Sequence, residues 1–576
     1  MTSLNLLTFL ESHASKTPNK IALGFFDQLH NGAVPKTLSY QDFVHKAYAV
    51  ANTLLGRGLR SEDRVLIVLP QSIDYLIAFY GCLYAGLIPV TLYPPKGPSH
   101  VQRLTAVIAD AEARAVITDS AISIIFDQSH YTLQQRELLV VNITEIGTAA
   151  IQNQFSIPTI DSSMTAYLQY TSGSTGQPKG VCVRHSNLIA NLRMQQKSYG
   201  ISNDTTLVSW LPLCHDMGLI GVPILALHFG ASAYITTPTN FIRHPKIWLE
   251  AITYFKGTMS WAPNFAYDLC VNGISEKDRQ NLDLSSWQVA VNASEPVRAQ
   301  TIDAFINSYK QYGFSARTMK PGFGLAEATL QVTVTDLTDT FYVESIDRDQ
   351  IQSKKMAILA THEASNHLSY VSCGRKSQGT SVLIVDPENT QELAVRHVGE
   401  IWVKGPHVCS GYWQKSDEST RTMGAFTQHG TGPCLRTGDL GYLNENGDLF
   451  IVGRLKDIVI VRGRNYAASD IEQTIEAASP KIRAGFVAAF SVENEEKEDI
   501  VILIEMRDPL THEEGTHIVT EAQRLCRVEH GIVIEKIIFV SRGTLAKTTS
   551  GKHQRQMYKR HYLDHSLSLF HFQDRN

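Results

Sequence analysis

Short runs of β-branched and apolar residues alternate with longer stretches of helical hydrophobic periodicity through the first part of the chain. Residues 64–69 form such a run, which Pro70 ends, and the apolar stretch after it begins at Ser72, a residue suited to cap a helix, and ends at Gly86. Strands separated by helical patterns are typical of βαβ units and predict a parallel sheet. The pattern also predicts a helix at 187–196, capped by Ser186, and strands at 115–118, 138–141, 166–170, 181–184, 231–236, 258–261, 288–291 and 316–320.

From about residue 371 the pattern changes to short strands joined by turns, which predicts a small β-rich subdomain. We therefore predict an α/β protein with a large N-terminal body, residues 1–453, that holds two βαβ-type sheets and this subdomain. A hinge at 454–457 and a smaller mobile α+β cap, residues 458–576, would follow. The predicted elements are strands 381–385, 399–403 and 448–452 in the subdomain, and helices 470–478 and 512–528 with strands 485–490, 500–505 and 534–540 in the cap.

Composition narrows the kind of protein. The 576 residues are 43% hydrophobic and 19% charged, with a net charge of −4, which is enough apolar material for more than one core. This charge argues against nucleic acid or an anionic membrane surface as the main partner. The eight cysteines form no CxxC pair, so neither a zinc site nor a disulfide framework is expected, and a cytoplasmic location is predicted.

No targeting or membrane segment is predicted either. Residues 1–20 lack a basic start, and Glu11 interrupts their apolar run. The longest apolar helix candidate, residues 73–85, carries Asp74 and is too short to span a bilayer.

One glycine-rich segment lies between two predicted strands. Tyr170-Thr-Ser-Gly-Ser-Thr-Gly-Gln-Pro-Lys-Gly180 combines turn-forming glycines, hydroxyl side chains and a lysine, Lys179. Such a turn can place N–H and O–H donors around phosphate oxygens. The spacing of glycine, lysine and hydroxyl residue is not that of a Walker A loop. The sequence therefore predicts a phosphate loop of another kind, and a solvated surface loop is the alternative.

Three later segments place charged residues beside glycines. In Pro321-Gly-Phe-Gly-Leu-Ala-Glu327 an aromatic residue and a carboxylate follow a predicted strand, which also suits an ordinary helix start. Leu435-Arg-Thr-Gly-Asp-Leu-Gly441 places Asp439 after a tight turn, where a carboxylate can accept both ribose hydroxyls or bind its own backbone. In Gly453-Arg-Leu-Lys-Asp457, Arg454 taken alone would be a surface ion-pair residue.

A fifth segment, Lys547-Thr-Thr-Ser-Gly-Lys-His-Gln-Arg555, is basic and lies near the C-terminus. A cation such as Lys552 can bridge a carboxylate and the phosphate that it attacks. It offsets the repulsion of the two anions and stabilises charge in the transition state. A basic surface loop is the alternative.

These five segments, in this order, resemble the motifs of the acyl-adenylate-forming superfamily, which includes acyl-CoA synthetases, peptide-synthetase adenylation domains, luciferases and fatty acyl-AMP ligases. The resemblance covers nearly the whole chain. The sequence departs from the usual motifs at Phe323, where tyrosine is commoner, and at Ala546, where proline is usual. Stacking on adenine does not need the tyrosine hydroxyl.

The resemblance implies roles for individual residues. Lys552 would be the catalytic lysine, Glu327 would hold Mg²⁺ on the nucleotide phosphates, Thr171 would bind phosphate, and Lys456 would lie at the hinge. The residues that it implies for ATP or AMP binding are Thr171, Ser172, Gly173, Ser174, Thr175, Gly176, Lys179, Ser294, Glu295, Pro296, Phe323, Gly324, Leu325, Ala326, Asp439, Ile451 and Arg454.

A further segment bears on the second substrate. Trp210-Leu-Pro-Leu-Cys-His-Asp-Met-Gly-Leu-Ile-Gly221 resembles the His-Asp-Met-Gly-Leu run of fatty acyl-AMP ligases. The resemblance implies that the histidine lies near the acyl carboxylate and that its apolar neighbours line a tunnel. The residues that it implies for acyl binding are His215, Met217, Ile220, Trp261, Asn264 and Phe265, for which core packing is the alternative.

The resemblance thus implies an ATP- and Mg²⁺-dependent enzyme that converts a fatty acid to acyl-AMP and releases pyrophosphate. The acyl group would pass to the phosphopantetheine thiol of an acyl carrier protein or of a polyketide or nonribosomal peptide synthase. A long-chain fatty acyl-CoA ligase is one alternative. An amino-acid adenylation domain is another, because Asp216 could pair with a substrate ammonium. A catalytically dead nucleotide-binding protein is a third.

Residues 341–370 resemble an insertion of fatty acyl-AMP ligases, and acyl-CoA ligases are usually shorter here. We expect its charged residues, such as Glu344, to face water and Met356, Ile358 and Leu359 to dock on the body. Docking would restrict the movement of the cap and make CoA a poor acceptor. A plain surface loop is the alternative.

Overall fold

The computed structural model describes residues 5–29, 33–95, 98–123, 132–133, 136–146, 158–172, 178–361, 366–461, 464–493, 498–534, 536–547 and 553–572. Two of the predicted site regions therefore lie outside the described residues. They are the tip of the phosphate loop, Gly173, Ser174, Thr175 and Gly176, and the predicted catalytic lysine, Lys552.

The largest sheet has a parallel part and an antiparallel part that are hydrogen-bonded to each other. In the parallel part the strands are, in spatial order, Met319–Gly324, Val289–Asn292, Met259–Ala262, Thr206–Ser209, Ser232–Ile235 and Ile21–Phe25, with Lys36–Ser39 antiparallel at the edge. The antiparallel part continues from Met319–Gly324 through Gln331–Val334, His367–Lys376, Asp448–Arg454, Leu435–Leu443, Gly399–Lys404 and Ser381–Val385, and Val343–Asp347 pairs with His367–Lys376.

A second sheet is parallel except for the hairpin that leads into the phosphate loop. Its strands are, in spatial order, Pro178–Arg184, Thr165–Ser172, Ile88–Thr91, Arg64–Ile67, Ala115–Thr118 and Leu139–Asn142. Two very short strands, Thr132–Leu133 and Arg136–Glu137, pair separately.

Helices and helical turns join these strands. Ile73–Tyr84 is buried on every side except at Asp74, as an apolar helix inside a large core should be. The other helices up to residue 423 are Leu6–Lys16, Tyr40–Gly56, Pro98–Asp110, His185–Tyr199, Asp216–Leu219, Leu225–Phe229, Pro238–Arg243, Lys246–Phe255, Asn264–Gly273, Glu276–Arg279, Ala299–Tyr309, Arg348–Lys354 and Ser416–Met423. Single helical turns occupy Ile143–Glu145, Ile220–Ile224, Lys310–Tyr312, Ala316–Thr318, Ala326–Ala328 and Leu455–Asp457.

The C-terminal part has a three-stranded sheet with apolar residues on both faces. Ile502 and Ile504 belong to one buried cluster, and Val501 and Leu503 belong to another, because side chains alternate along a strand. The elements are the hairpin Ile458–Val461 and Arg464–Ala467, the strands Ile482–Glu493, Glu498–Met506 and Lys536–Val540, and the helices Ala468–Glu476, His512–His530 and Arg555–Leu563.

The predicted fold class is confirmed. The strands Ile21–Phe25, Ile88–Thr91 and Thr206–Ser209 were not predicted, and several predicted elements differ from the structure at their ends. The helix predicted after Ser186 instead begins at His185, and Asn187 accepts the N–H of Arg184, the N-cap residue. Ser72 is an N-cap by position but its side chain makes no capping hydrogen bond. Residues 316–318, predicted as strand, form a helical turn. The domain boundary at 454–457 and the mobility of the cap stay predictions.

The side chains of the 341–370 segment are placed differently from our expectation. Val343–Asp347 is a strand of the sheet, and alternation turns both Glu344 and Ile346 inward. Glu344 is therefore buried, and Arg396 Nη1 donates to its Oε2 at 2.7 Å. Ile346, Ile351 and Ala357 join the core, whereas Ile358 and Leu359 are exposed. The segment does dock on the body, mainly through residues other than those predicted, although Met356 forms a β-bridge with His397.

No helix in the described part of the chain is both long and apolar enough to cross a membrane.

Candidate active site

The candidate residues gather where parallel strands end. Val289–Asn292 leads into Ser294 and Glu295, Met319–Gly324 leads into Glu327, and Thr206–Ser209 precedes His215. In open α/β sheets the crevice beyond the carboxyl ends of the strands is where ligands bind. The order of the strands therefore brings together segments that are far apart in sequence.

The two strands of the phosphate-loop hairpin hold Thr171 opposite Lys179. The ammonium of Lys179 forms an ion pair with Glu418 and lies 5.5 Å from the centre of the Tyr412 ring. The segment that carries Tyr412 is fixed to the same hairpin, because Cys182 N donates to Gly411 O at 2.9 Å and Trp413 N to Gly180 O at 2.7 Å. A cation is thus held at the base of the predicted phosphate loop.

Glu327 lies in the helical turn Ala326–Ala328 and faces the same place. Tyr412 Oη donates to Glu327 Oε1 at 2.9 Å. Burial, followed by the charge of Glu327, raises the pKa of Tyr412, so this hydroxyl stays a donor. Tyr412 therefore links the predicted magnesium ligand to Lys179. Sequence reasoning missed Tyr412, and no local signal marks it, because its role depends on contacts with Glu327 and Lys179, which lie far away in the chain.

Asp439 and Arg454 are partners on neighbouring strands. Arg454 Nε donates to Asp439 Oδ1 at 2.8 Å, and Asp439 N donates to Thr437 Oγ1 at 3.1 Å. Asp439 raises the pKa of Arg454, against the effect of burial, and Glu327 is one of the carboxylates that raise it further. The two predicted ribose residues are thus one ion pair within electrostatic range of the predicted metal ligand.

The residues predicted around adenine lie in strands of the large sheet or in the turns that follow them. Phe323 and Ile451 are half-buried and pack on the core, and Ser294 has a left-handed backbone, with φ of 77°. Gly324 leaves no room for a side chain, because a Cβ there would lie 1.9 Å from Leu330 O. Glu295 Oε1 accepts the N–H of Phe265 at 2.6 Å. The remaining candidates in these runs, Pro296, Leu325 and Ala326, adjoin these residues in the chain.

His215 begins a helical segment whose apolar residues are buried. Met217, Ile220 and Trp261 belong to one core cluster. A Cβ at Gly221 would lie 3.2 Å from the Trp261 ring, so glycine allows this helix to approach the indole closely. His215 Nδ1 lies 2.6 Å from Asp216 Oδ1, which also accepts the N–H of Met217 at 2.7 Å. The histidine is half-buried at the mouth of an apolar region.

Asn264 is placed differently from the other acyl candidates. Its Nδ2 donates to Thr301 Oγ1 at 3.0 Å, and its Oδ1 accepts from Arg298 N at 3.1 Å and Asn292 Nδ2 at 3.3 Å. Both ends of the amide therefore hold neighbouring segments in place. These contacts favour a structural role for Asn264.

The loop that carries Lys552 is anchored on both sides. Lys547 and His553 form a β-bridge across it. Before the loop, the fully buried Glu505 accepts the N–H groups of Gly543 at 3.0 Å and Leu545 at 2.7 Å. Burial, with the charges of Lys547 and Arg555, lowers the pKa of His553 to about 2, so this histidine is neutral.

On the far side of the loop, Arg555 Nε and Nη2 donate to Glu472 at 2.7 and 2.6 Å, and its Nη1 donates to Asp457 Oδ2 at 2.7 Å. Asp457 is the residue after the predicted hinge lysine, Lys456. Burial raises the pKa of Glu295, and Lys547 is among the charges that oppose this shift. The charge of Lys547, at the start of the loop, thus acts on Glu295 in the Ser294–Pro296 run.

Family comparisons cover nearly all of the chain. Residues 10–413 match the family described as AMP-binding enzyme, and residues 456–571 match the family described as Disco-interacting protein 2-like, AMP domain. The chain is 34% identical to the medium-chain-fatty-acid–[acyl-carrier-protein] ligase JamA of Moorena producens, over 92% of this chain and 90% of JamA. It is 34% identical to the long-chain-fatty-acid–AMP ligase FadD32 of Mycolicibacterium smegmatis, over 98% and 95%.

Comparison with a solved structure shows that the similarity includes the fold. The fatty acyl-adenylate ligase from L. pneumophila, in complex with acyl adenylate and pyrophosphate, has a TM-score of 0.75 and 31% identity, with 98% of this chain and 97% of that chain covered. The chain therefore belongs to the AMP-binding enzymes and, among them, to the fatty acyl-AMP ligases of the acyl-adenylate-forming superfamily.

Proposed function

We propose that this protein joins a fatty acid to AMP from ATP, releases pyrophosphate, and passes the acyl group to the phosphopantetheine thiol of an acyl carrier protein. The observation that carries the proposal is the contact of Tyr412 with both Lys179 and Glu327. The Asp439–Arg454 ion pair and the apolar cluster that includes Met217 and Trp261 supply the groups that we assign to ribose and acyl binding. The names of JamA and FadD32 and the ligands of the L. pneumophila ligase support it.

The nucleotide would lie across the carboxyl edge of the large sheet. Thr171–Gly176 and Lys179 would surround the β- and γ-phosphates, Phe323 would stack on adenine, and Asp439 would accept both ribose hydroxyls. Arg454 satisfies one oxygen of Asp439. This pairing orients the carboxylate for the hydroxyls.

Mg²⁺ is generic for this family, and the geometry around Glu327 fits it. Mg²⁺ takes one or two carboxylates together with phosphate oxygens and waters, and Glu327 is an oriented carboxylate beside the predicted phosphate loop. When bound, the ion would neutralise charge on the phosphates. Tyr412 holds the carboxylate in position by its hydrogen bond.

The chemistry itself needs little covalent help from the protein. The acyl carboxylate attacks the α-phosphate in line, and pyrophosphate leaves. We propose that Lys552 lies between the two anions and lowers their repulsion, and that His215 orients the carboxylate at the mouth of the apolar region. We also propose that the protein acts in the cytoplasm.

The 341–370 segment bears on our proposal for the acceptor. Burial raises the pKa of Asp470 in the C-terminal part to about 6, against the opposing charges of Arg298 and Arg348. Arg348 begins the helix Arg348–Lys354, whose residue Ile351 is buried in the body. The segment thus joins the body core and places a charge toward the cap. We propose that it restrains the cap and disfavours CoA.

We expect a variant without this segment to form more acyl-CoA than the intact protein. Asp347 and His367 are direct strand partners, so residues 348–366 can be replaced by Gly-Gly, a loop that suits a two-residue hairpin. The products with CoA are measured by chromatography. Arg348→Ala, which removes the charge but keeps Ile351, should shift acceptor use in the same direction, and Lys354→Ala on the same helix serves as the control. Unchanged acceptor use in both variants would refute the restraint.

Asp439→Ala is expected to weaken binding of ATP and of acyl-AMP to the same extent, because both ligands carry the same two hydroxyls. A hydrogen bond to a charged group contributes roughly 1.5–3 kcal/mol, so the dissociation constants should rise about tenfold or more. Titration calorimetry with both ligands measures this. Glu445→Ala, which removes an exposed ion pair to Arg396, is the control. Nucleotide affinity equal to that of the intact protein would remove Asp439 from the site.

The proposed function as a whole is tested with ATP, Mg²⁺ and a panel of fatty acids. Fatty-acid-dependent ATP–pyrophosphate exchange and acyl-AMP in the products are expected. Holo carrier protein and CoA are then compared as acceptors. Efficient acyl-CoA formation by the intact protein would favour the acyl-CoA ligase, and exchange with amino acids alone would favour the amino-acid adenylation domain. Asp216 argues against an amino-acid adenylation domain, because its carboxylate already accepts the N–H of Met217.

A further inference from the structure

A cavity of about 410 Å³ lies within the C-terminal part, outside the site described above. Three arginines, Arg483, Arg507 and Arg542, and an apolar wall that includes Pro480, Ile482 and Ala484 line it. All of its lining residues belong to residues 458–576, so the cavity stays intact whatever the position of the cap relative to the body.

The three guanidinium groups are not equivalent. Arg483 is fixed, because its Nη1 donates to the buried Glu505 at 2.7 Å and it lies 3.5 Å from the centre of the Phe486 ring. Arg507 and Arg542 are exposed, and neither forms an ion pair with any residue that the structure describes. In a chain with a net charge of −4, three cations around one concave space point to an anionic ligand.

The chemistry of the lining narrows the ligand class. Guanidinium groups bind phosphate oxygens in a bidentate manner. The apolar wall adjoins them, so the cavity suits a phosphate ester whose next group is a compact branched hydrocarbon. An acidic protein surface would complement the charges of the arginines but would not fill the apolar part of the cavity. Phosphopantetheine has this composition, because its phosphate is followed directly by the gem-dimethyl carbon of the pantoyl unit.

The lining of the cavity also contains one carboxylate, that of Glu476. This carboxylate accepts the N–H of Gly485 at 2.8 Å. Burial raises the pKa of Glu476, and the charges of Arg298 and Lys547 oppose this shift. Arg298 follows the predicted nucleotide run, and Lys547 begins the predicted catalytic loop. These two cations also offset the repulsion between Glu476 and an anion in the cavity.

We propose that this cavity binds the phosphate and the adjoining pantoyl group of the phosphopantetheine arm of the acceptor. The inference rests on the proposed function, since it assumes acyl transfer to such an arm. Arg483 supplies a preorganised guanidinium, and Arg507 and Arg542 close on the phosphate from the rim.

The test compares phosphopantetheine with pantetheine, which lacks the phosphate, as free acceptors for the intact enzyme and for the double variant Arg507→Ala/Arg542→Ala. We expect KM for phosphopantetheine to rise roughly ten- to a hundredfold in the variant, because hydrogen bonds between the guanidinium groups and the phosphate are lost. KM for pantetheine and the rate of ATP–pyrophosphate exchange should stay unchanged. Arg524→Ala/Arg560→Ala, which removes two exposed arginines elsewhere in the C-terminal part, is the matched control.

Three outcomes would overturn the proposal. KM for phosphopantetheine could be unchanged in the variant, or KM for pantetheine could rise equally. Alternatively, the variant could weaken binding of apo carrier protein, which has no arm, as much as that of holo carrier protein, and the cavity would then recognise the protein surface. A lack of fatty-acid-dependent exchange in the intact enzyme would instead refute the proposed function. If CoA proves to be the acceptor, KM for CoA gives the same test, because CoA contains the same phosphate and pantoyl groups.

Discussion

Replacing Lys552 by alanine is expected to slow acyl-AMP formation by about 10²–10³-fold, the loss typical of one preorganised charge in a transition state. Binding of ATP should stay nearly the same, because the predicted adenine and ribose residues lie on other segments. The flanks of the loop support this role. Glu505 and Arg555 anchor the chain on either side of it.

The measurement is fatty-acid-dependent ATP–pyrophosphate exchange together with the dissociation constant of ATP. Lys559→Ala, a lysine of the following helix, is the control for a general loss of positive charge. A nearly normal rate of adenylation in Lys552→Ala would show that another group neutralises the reacting anions. A large loss of ATP affinity would show that the lysine acts in binding instead.

Arg555→Ala is expected to lower the free energy of unfolding of the C-terminal part by about 3–5 kcal/mol, the usual effect of removing one partner of a buried ion pair. Arg555 makes two hydrogen bonds to Glu472 and one to Asp457, and its side chain is only 12% exposed. Its removal leaves the buried Glu472 carboxylate without its cation. Because Asp457 adjoins the predicted hinge, adenylation should fall as well.

Urea unfolding followed by circular dichroism measures the change. Arg560→Ala is a closely matched control, since this arginine lies on the same helix and pairs with Asp564 at 3.5 Å but is 81% exposed. An exposed pair of this kind contributes only about 0–1 kcal/mol. Equal effects of the two substitutions would mean that the buried ion pair is not what stabilises this region.

Element types could be predicted from sequence because their signals are local. Apolar periodicity and turn residues identified many of the parallel strands and some helices, including Ile73–Tyr84 and His512–His530, but not the parallel strands Ile21–Phe25, Ile88–Thr91 and Thr206–Ser209. The ends were less accurate, since they depend on which residue satisfies the free N–H groups. At the helix that begins with His185, Asn187 serves this purpose and the predicted cap, Ser186, does not.

The sequence by itself determined the order of the five motifs, the chemistry of Lys179, Glu327, Asp439 and Arg454, and the α/β class, because each of these depends on residue type and spacing within a short segment. Only the tertiary structure decided how distant segments meet. The hydrogen bond from Cys182 N to Gly411 O fixes the segment that carries Tyr412, and Tyr412 in turn contacts Glu327. Glu344 is buried because strand alternation turns it toward Arg396. The arginines of the cavity come from three separate segments. Such contacts depend on sheet register and burial, which link residues far apart in the chain and leave no local signal in any one of them.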